Sequence, residues 1–287
     1  MATLKAIRRR IASVKTTQQT TRAMKLVAAS RLRRAQEALH NARPYHEALK
    51  RVADSLLASA PEALGAPEGA RRALMLVVVA SDRGLCGGYN ANLIRLAEET
   101  MRQARTDGLE VKLFAIGRKG TEHFRRAGTP LDGERINNAP RLATVGLARD
   151  VAARMLREFR AGAVCAAGVI YASFRSAIAQ RPTYEKLLPV TPPPADAAAG
   201  SADYLIEPSA AELIPTVMRG YVEAAIFRAL LEGEASEHGA RMTAMDSATN
   251  NAADMIARLT LAMNRARQAQ ITRELMDIVG GAEALRG

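Results

Sequence analysis

Two apolar seams at opposite ends of the chain constrain its fold more than any other feature of the sequence. Both seams advance in alternating steps of three and four residues, which is the a/d spacing of a coiled coil. The first seam consists of Leu4, Ile7, Ile11, Val14, Gln18, Thr21, Ala28, Leu32, Ala35, Leu39 and Ala42. The second consists of Met242, Met245, Thr249, Ala252, Ile256, Leu259, Met263 and Ala266, and it resumes after a four-residue slip as Ile271, Leu275, Ile278, Ala282 and Leu285. Each end is therefore predicted to be a long helix whose apolar seam must pack against another surface.

The two predicted helices differ in length. The first runs over about residues 3–57 and the second over 209–285, roughly 80 and 110 Å at the rise of an α-helix. If both leave the same face of the segment between them, they run antiparallel and the longer one projects by about 20 residues. The projecting end keeps its apolar seam, so we expect another protein to surround it.

Because of two prolines, the sequence does not fix the residue at which each long helix begins. Pro44 lies within the first helix and Pro215 within the second, and proline removes a backbone hydrogen-bond donor. Ser209 and Glu212 have the spacing of a capping box, which predicts an earlier start for the second helix than Pro215 does.

Most of the net charge of +12 lies in the first helix, where ten basic residues precede the first acidic one, Glu37. Such a helix can present a solvated face, can bind the phosphates of nucleic acid or lipid, or can face acidic loops of a partner protein. The acid-poor stretch up to Arg34 also fits a transit peptide. The seam continues through Leu39 without a break, which favours a place in the mature structure instead.

The rest of the composition narrows the class of protein. The longest apolar run, Ala73 to Ala80, is too short to span a bilayer, so we expect a soluble protein or one peripheral to a membrane. Cys86 and Cys165 have no metal-ligand spacing, which favours a reducing compartment without disulfides. Aromatic residues make up only 4% of the chain, which suits long helices better than a deep ligand pocket.

The middle of the chain alternates between strand and helix patterns. Strands are predicted at 73–80, 110–116 and 163–174, with 184–190 pairing beside the last, and helices at 93–101, 121–127 and 146–159. This alternation predicts the α/β class, with a Rossmann-like central domain, a mostly parallel sheet and a long antiparallel two-helix coiled coil formed by the terminal segments. The predicted domains are 1–58, 71–193 and 208–287.

A glycine-rich turn, SDRGLCGGYN from Ser81 to Asn90, follows the first strand. Its glycine spacing is neither that of a dinucleotide fingerprint nor that of a Walker loop, so a tight turn with positive φ competes with a phosphate cradle. We expect Asp82 to cap or to pair with Arg83, and Cys86 has no histidine near it in sequence.

The sequence offers few other candidate catalytic side chains. We expect His40, His46 and His238 on helix surfaces and His123 beside a loop, and no paired carboxylates stand out. The sequence therefore predicts neither a catalytic site nor a bound cofactor or metal.

Four blocks of the sequence resemble the gamma subunit family of F-type ATP synthases. They are LKAIRRRIASVKTTQQTTRAMKLVAASRLRRA at 4–35, SDRGLCGGYN at 81–90, SEHGARMTAMDSATNNA at 236–252 and ARQAQITRELMDIVGGAEAL at 266–285. The blocks occur in the family's order and span the chain. The resemblance implies a central rotor shaft inside a ring of three alpha and three beta subunits, turned by proton flow through a membrane ring. The catalytic residues of that complex lie on its alpha and beta subunits, so the resemblance implies a non-catalytic chain.

The resemblance also carries partner-contact residues over to this sequence. Met24 and Lys25 lie in the region that meets acidic loops of the beta subunits, and Arg241 matches an arginine of the facing helix. The upper contact zone corresponds to Arg267, Gln268, Thr272 and Glu274. Tyr204 and Glu207 lie in the approach to the long helix, where the family contacts the membrane c-ring beside the epsilon subunit.

Simpler interpretations of the same residues stay open. Met24 fits plain seam packing, Gln268 and Thr272 fit solvated positions, and Arg241 and Glu274 fit intrahelical pairs. Gly239 stands where the family commonly has alanine, a change expected to weaken a helix by about 1 kcal/mol.

Two other functions compete with the rotor. A basic coiled coil can bind nucleic acid with an affinity that falls steeply with salt, and a small α/β enzyme can carry helical arms. For the rotor, we expect a peripheral location on the cytoplasmic side of a bacterial cell inner membrane, with an organelle as the alternative.

Overall fold

The protein was analysed as a computed structural model that describes residues 4–59, 67, 69–136, 143–190, 207 and 209–284. In chain order the elements are α1 (Leu4–Ser59), β1 (Ala73–Val79), α2 (Tyr89–Thr106), β2 (Glu110–Ile116), α3 (Arg118–Arg126), β3 (Leu131–Arg135), α4 (Val145–Arg160), β4 (Ala166–Ser176), β5 (Ala179–Leu188) and α5 (Ala210–Ala284). They form two compact units. The helical unit comprises Met1–Val27 and Met242–Gly287, and the α/β unit comprises Ala28–Arg241. The three predicted domain ranges stay a prediction.

The five-stranded sheet has the order β3-β2-β1-β4-β5. The first four strands are parallel to their neighbours, and β5 runs antiparallel to β4. All seven residues of the central strand β1 are buried, as expected for a continuous apolar run covered on both faces. The predicted α/β class and the mostly parallel sheet are confirmed.

The two faces of the sheet are covered by different helices. Met75, Val77 and Val79 belong to the core shared with α4 and α5, which includes Met155, Ile226 and Leu230 among its buried members. Leu74, Leu76 and Val78 belong to the core shared with α2 and α3, which includes Leu93, Met101 and Phe124. Side chains alternate across a strand, so one apolar run supplies both cores.

Two strands differ from the sequence-based expectation. Strand β3, with the sequence LDGER, was not predicted because its charged residues resemble a loop; it is an edge strand with only partial burial. Strand β5 begins at Ala179 and contains Pro182, whereas the prediction began at 184. Proline is tolerated there because β5 is the other edge of the sheet.

The long helices continue through their prolines. Pro44 lies inside α1 and Pro215 inside α5. The start of α5 is set by the predicted capping box, because the backbone N–H of Glu212 donates to Ser209 Oγ at 3.4 Å and the two side chains lie 3.2 Å apart. The earlier of the two candidate starts is therefore the one observed.

Within the helical unit, α1 and α5 pack antiparallel. Thr21 Oγ1 lies 2.8 Å from Thr249 Oγ1, and Lys25 Nζ donates to Asp246 Oδ1 at 2.6 Å. Residue numbers thus rise along α1 as they fall along α5. Thr21, Met245 and Ala252 are the buried members of the predicted seams here, and the antiparallel coiled coil is confirmed in this unit.

Candidate partner-contact surfaces

The last turns of α5 are exposed on every side, from residue 267 to residue 282. We call this stretch the tip. It contains four predicted contact residues, Arg267, Gln268, Thr272 and Glu274, all exposed. Glu274 accepts a hydrogen bond from Gln270 Nε2 at 2.9 Å, so it has an intrahelical partner. The contact role of these four residues stays a prediction, and the structure leaves them accessible.

The tip also carries large apolar side chains in water. They are Ile271, Leu275, Met276, Ile278 and Val279, which are 49% to 68% exposed. Single exposed apolar residues are common, but a contiguous group indicates an interaction surface. The second seam therefore runs past the part of α1 that covers it, as its length predicts.

The basic residues of α1 in the helical unit are mostly unpaired. Lys25 is half-buried and forms an ion pair with Asp246. Within the described part of the chain no carboxylate lies within 4 Å of the other cations of this segment, which are Lys5, Arg8, Arg9, Arg10, Lys15 and Arg22. Met24 is half-buried, and its neighbours Leu26 and Val27 are exposed. This basic segment of α1 combines positive charge with exposed apolar side chains.

Arg241 is buried in the α/β unit and contacts the glycine-rich turn. Its guanidinium donates to the carbonyl oxygens of Gly84 at 3.2 Å and Arg83 at 3.3 Å, and pairs with Glu237 at 2.7 Å. Burial raises the pKa of the Glu237 carboxyl, and the charge of Arg241 opposes that shift. Arg241 thus joins α5 to the turn, and its assignment as a partner contact stays a prediction.

The glycine-rich turn itself is tied by side chains of its own segment. Asn90 Oδ1 accepts from the backbone N–H of Ser81 at 3.0 Å, and Gly87 has a φ of 57°. Asp82 Oδ1 accepts from the backbone N–H of Arg118 at 2.8 Å, so it caps α3 as expected. Burial raises the pKa of the Cys86 thiol. The geometry is that of a packed turn that positions α2 and α3.

Two of the four histidines, His46 and His238, are more buried than the sequence predicts. His238 is only 5% exposed, because α5 is enclosed on nearly all sides between residues 222 and 241. Burial and the charges of Arg241 and Arg31 lower the pKa of His238 to about 4. His46 is half-buried and stacks on Tyr221, and burial lowers its pKa too. His123 lies in the last turn of α3, beside the loop that follows, and hydrogen-bonds to Glu98.

The sequence-based predictions did not include a row of polar residues on α5, which we call the polar stripe. Arg228, Glu232 and Ser236 follow each other at intervals of four residues, so they lie on one face of the helix. Glu232 accepts from the backbone N–H of Phe174 at 3.1 Å, and Ser236 donates to the carbonyl of Ala172 at 2.9 Å. The signal was available, since polar residues at this spacing interrupt an Ala- and Leu-rich helix.

Arg228 has the densest contacts of the polar stripe. Its Nη2 donates to both carboxylate oxygens of Glu185 at 2.6 Å, and its Nη1 donates to Tyr171 Oη at 3.1 Å and Glu232 Oε1 at 3.0 Å. Tyr171 in turn donates to Glu185 at 2.9 Å. Burial alone would lower the pKa of Arg228, but Glu185, Tyr171 and Glu232 raise it. One side chain of α5 thus bonds to both β4 and β5.

The remaining predictions concern the approach to α5, which we call the foot, bound metals and membrane spans. Glu207 is exposed, and Tyr204 lies outside the described residues. Among the residues that the structure describes, no group of three or more His, Cys, Asp or Glu side chains is arranged to hold a metal ion. None of the helices in the described ranges has the length and apolarity needed to cross a membrane.

Comparison with known sequences gives matches over the whole chain. A family model described as ATP synthase matches residues 3–285. The ATP synthase gamma chain of Pelotomaculum thermopropionicum is 44% identical over 288 residues, covering 99% of this chain and 100% of the relative. That of Geobacter sp. strain M21 is 46% identical over 291 residues, covering 100% of both.

Solved structures share the fold at lower identity. The central stalk and c-ring of the Tetrahymena thermophila mitochondrial ATP synthase include a chain with a TM-score of 0.62 and 23% identity, over 80% of this chain and 99% of that one. The rotor of the Euglena gracilis mitochondrial ATP synthase includes one with a TM-score of 0.67 and 18% identity, over 93% of this chain and 98% of that one. These likenesses support the fold described above.

Proposed function

The chain belongs to the ATP synthase gamma chain family, and from this premise we propose how its helices work in the complex. It is a non-catalytic subunit and acts as the central rotor shaft of an ATP synthase. Proton flow through a membrane ring turns it, and its turning drives the catalytic subunits through open and closed states in sequence. The observation that carries this function is the uncovered apolar tip of α5.

A ring of three alpha and three beta subunits encloses the tip in this proposal. Fully covering one large apolar side chain contributes about 1.5–3 kcal/mol, so the tip has a strong tendency to be enclosed. Gln268 and Thr272, with Arg267 and Glu274, provide the polar contacts around it. Apolar contacts are non-directional, which allows a shaft to turn inside its sleeve without a single fixed register.

The unpaired cations of α1 face acidic loops of the beta subunits. Positive charge on one face raises the local potential and attracts carboxylates, and each contact stays weak because it is solvated. Met24 and Lys25 lie within this basic segment, next to exposed Leu26 and Val27. The nucleic-acid alternative is not favoured, since the relatives matching the whole chain are ATP synthase gamma chains.

The foot of the chain lies in the approach to α5. Tyr204 and Glu207 contact the c-ring beside the epsilon subunit in this proposal, and exposed Glu207 is accessible for such a contact. The chain is part of a membrane-associated complex. We place it peripherally on the cytoplasmic side of a bacterial cell inner membrane, with an organelle as the alternative.

Co-purification from the native membrane tests the function. We expect alpha, beta and epsilon subunits and the c-ring to accompany the tagged chain, and the isolated chain to lack ATPase activity. Recovery of the chain alone, or with nucleic acid that dissociates steeply with salt, would contradict the rotor function.

A double substitution tests the upper contact zone. Gln268→Ala with Thr272→Ala should weaken coupled ATP synthesis or assembly, because both side chains are exposed and have their proposed partners on other subunits. A matched Gln103→Ala with Thr106→Ala on α2, outside all proposed contacts, serves as the control. Unchanged coupled synthesis in the first variant would remove these two residues from the contact zone.

A further inference from the structure

The α/β unit holds α5 by two kinds of contact that respond differently to twisting. The first is apolar and includes a row of small residues, Ala225, Ala229 and Gly233, which are buried against the sheet side of the unit. The second is the polar stripe of Arg228, Glu232 and Ser236. The hydrophobic effect itself is non-directional, whereas hydrogen bonds weaken steeply when their angles change.

The small-residue row brings the helix backbone close to its neighbours. A Cβ atom at Gly233 would lie 3.3 Å from Val79 Cγ1 and 3.5 Å from Tyr89 Oη. Tyr89 also donates to the carbonyl of Gly233 at 3.0 Å. Short side chains offer few protrusions that interlock, so this row by itself resists rotation of α5 about its axis only weakly.

The polar stripe supplies the directional contacts. Arg228 and Glu232 together connect α5 to Tyr171 and the Phe174 amide on β4 and to Glu185 on β5. Arg228 Nη2 donates to both oxygens of Glu185, and such hydrogen bonds between charged groups are stronger than neutral ones. Any rotation of α5 against the sheet breaks several of these bonds at once.

We propose that Arg228 is the positioning residue that locks α5 to the sheet against axial rotation, so that torque applied to the α/β unit is transmitted along α5. The inference rests on the rotor function proposed above. It assigns the lock to Arg228 with Glu185, Tyr171 and Glu232, none of which belongs to the predicted partner contacts. Removing the guanidinium makes the rotor more compliant and leaves every predicted partner-contact residue unchanged.

The test uses single-molecule rotation of the complete complex, with the torsional stiffness of the rotor obtained from its angular fluctuations. Arg228→Met keeps an unbranched apolar stem and removes the donors of the guanidinium. We expect a loss of stiffness relative to the unaltered rotor. Arg219→Met, the same change at an exposed position of α5, is the matched control and should leave stiffness unchanged.

Milder variants keep the proposal falsifiable if Arg228→Met does not assemble. Tyr171→Phe removes one hydroxyl that bridges Arg228 and Glu185 and should cause a smaller loss of stiffness. Arg228→Lys keeps the charge and should lose less stiffness than Arg228→Met. Stiffness equal to the control in every variant that assembles, Tyr171→Phe included, would overturn the lock.

Failure of the lock and failure of the rotor function are distinguishable. A complex that rotates normally with unchanged stiffness in these variants rejects the lock alone. A complex in which the unaltered chain does not rotate at all rejects the function on which the lock depends.

Discussion

Helix α5 is built in two different ways along its length. Inside the α/β unit, from residue 222 to residue 241, it is enclosed and carries polar side chains that are paired with the sheet. In the tip, from 267 to 282, it is exposed and carries an apolar seam. In the enclosed stretch, packed core side chains and hydrogen bonds together hold the helix in one orientation. The same helix is thus fastened at one stretch and exposed at the other, where the proposed partner would enclose it.

The largest difference between the two stretches should appear when leucine is truncated. Leu230→Ala should lower the free energy of unfolding of the isolated chain by about 2–5 kcal/mol, because Leu230 is fully buried. Leu275→Ala should change it by less than about 0.5 kcal/mol, because the side chain is 56% exposed. Denaturant titration measures both, and equal losses would mean that the tip packs on its own chain.

The next effect is a pH dependence of the enclosed stretch. The pKa of buried His238 is lowered to about 4, whereas an unfolded histidine titrates near 6.5. Between these values the unfolded state binds the extra proton, so stability present above pH 6.5 is lost as the pH falls towards 4. The total loss is on the order of 3 kcal/mol.

A substitution isolates this contribution of His238. In unfolding titrations, His238→Gln should remove part of the loss below pH 6.5, and His40→Gln at an exposed position of α1 should not. Parallel pH profiles for the unaltered chain and His238→Gln would show that the histidine does not stay neutral in the folded state.

Glycines on α5 give a smaller effect whose sign should differ between the stretches. Gly280→Ala should stabilise the helix by up to about 1 kcal/mol, since nothing lies within 4 Å of the added Cβ. At Gly239 the added Cβ would lie 3.2 Å from the Ala177 carbonyl oxygen, so the helical gain should be cancelled or reversed. Thermal unfolding compares the two variants. Equal stabilisation would show that the β4–β5 turn yields without cost.

The smallest effect concerns the ion pair of the helical unit. Lys25→Met should lower the stability of the isolated chain by less than about 1 kcal/mol, because both side chains of the Lys25–Asp246 pair are substantially exposed. If Lys25 contacts a partner as proposed, assembly with beta subunits should weaken more than stability does. The comparison of unfolding with binding affinity measures this, and a large stability loss with unchanged affinity would make Lys25 purely structural.

Sequence patterns predicted the parts of this fold that repeat along the chain. The a/d steps of both seams and the continuous apolar run of β1 are long and regular, and the structure contains all three. Strand β3 lacks such a pattern because an edge strand of five residues exposes its charges. It forms a strand because it pairs with β2, and a pattern within five residues does not reveal that pairing.

The exposed tip was easier to predict than the buried contacts of α5. The tip was predictable because the second seam continues beyond the length that α1 can cover. His238 was misplaced because the periodicity of a helix does not reveal that α5 is enclosed on several sides. The bonds of Arg228 to Glu185 and Tyr171 join residues 43 and 57 positions apart, so no local spacing predicts them.

Labelling of a cysteine in the tip tests the central claim most directly. Leu275→Cys in the isolated chain should react rapidly with a maleimide, and the same residue in the complex with alpha and beta subunits should be strongly protected. A cysteine introduced at exposed Arg102 on α2 controls for general loss of reactivity. Equal reaction rates at position 275 in the free chain and in the complex would contradict the enclosure of the tip.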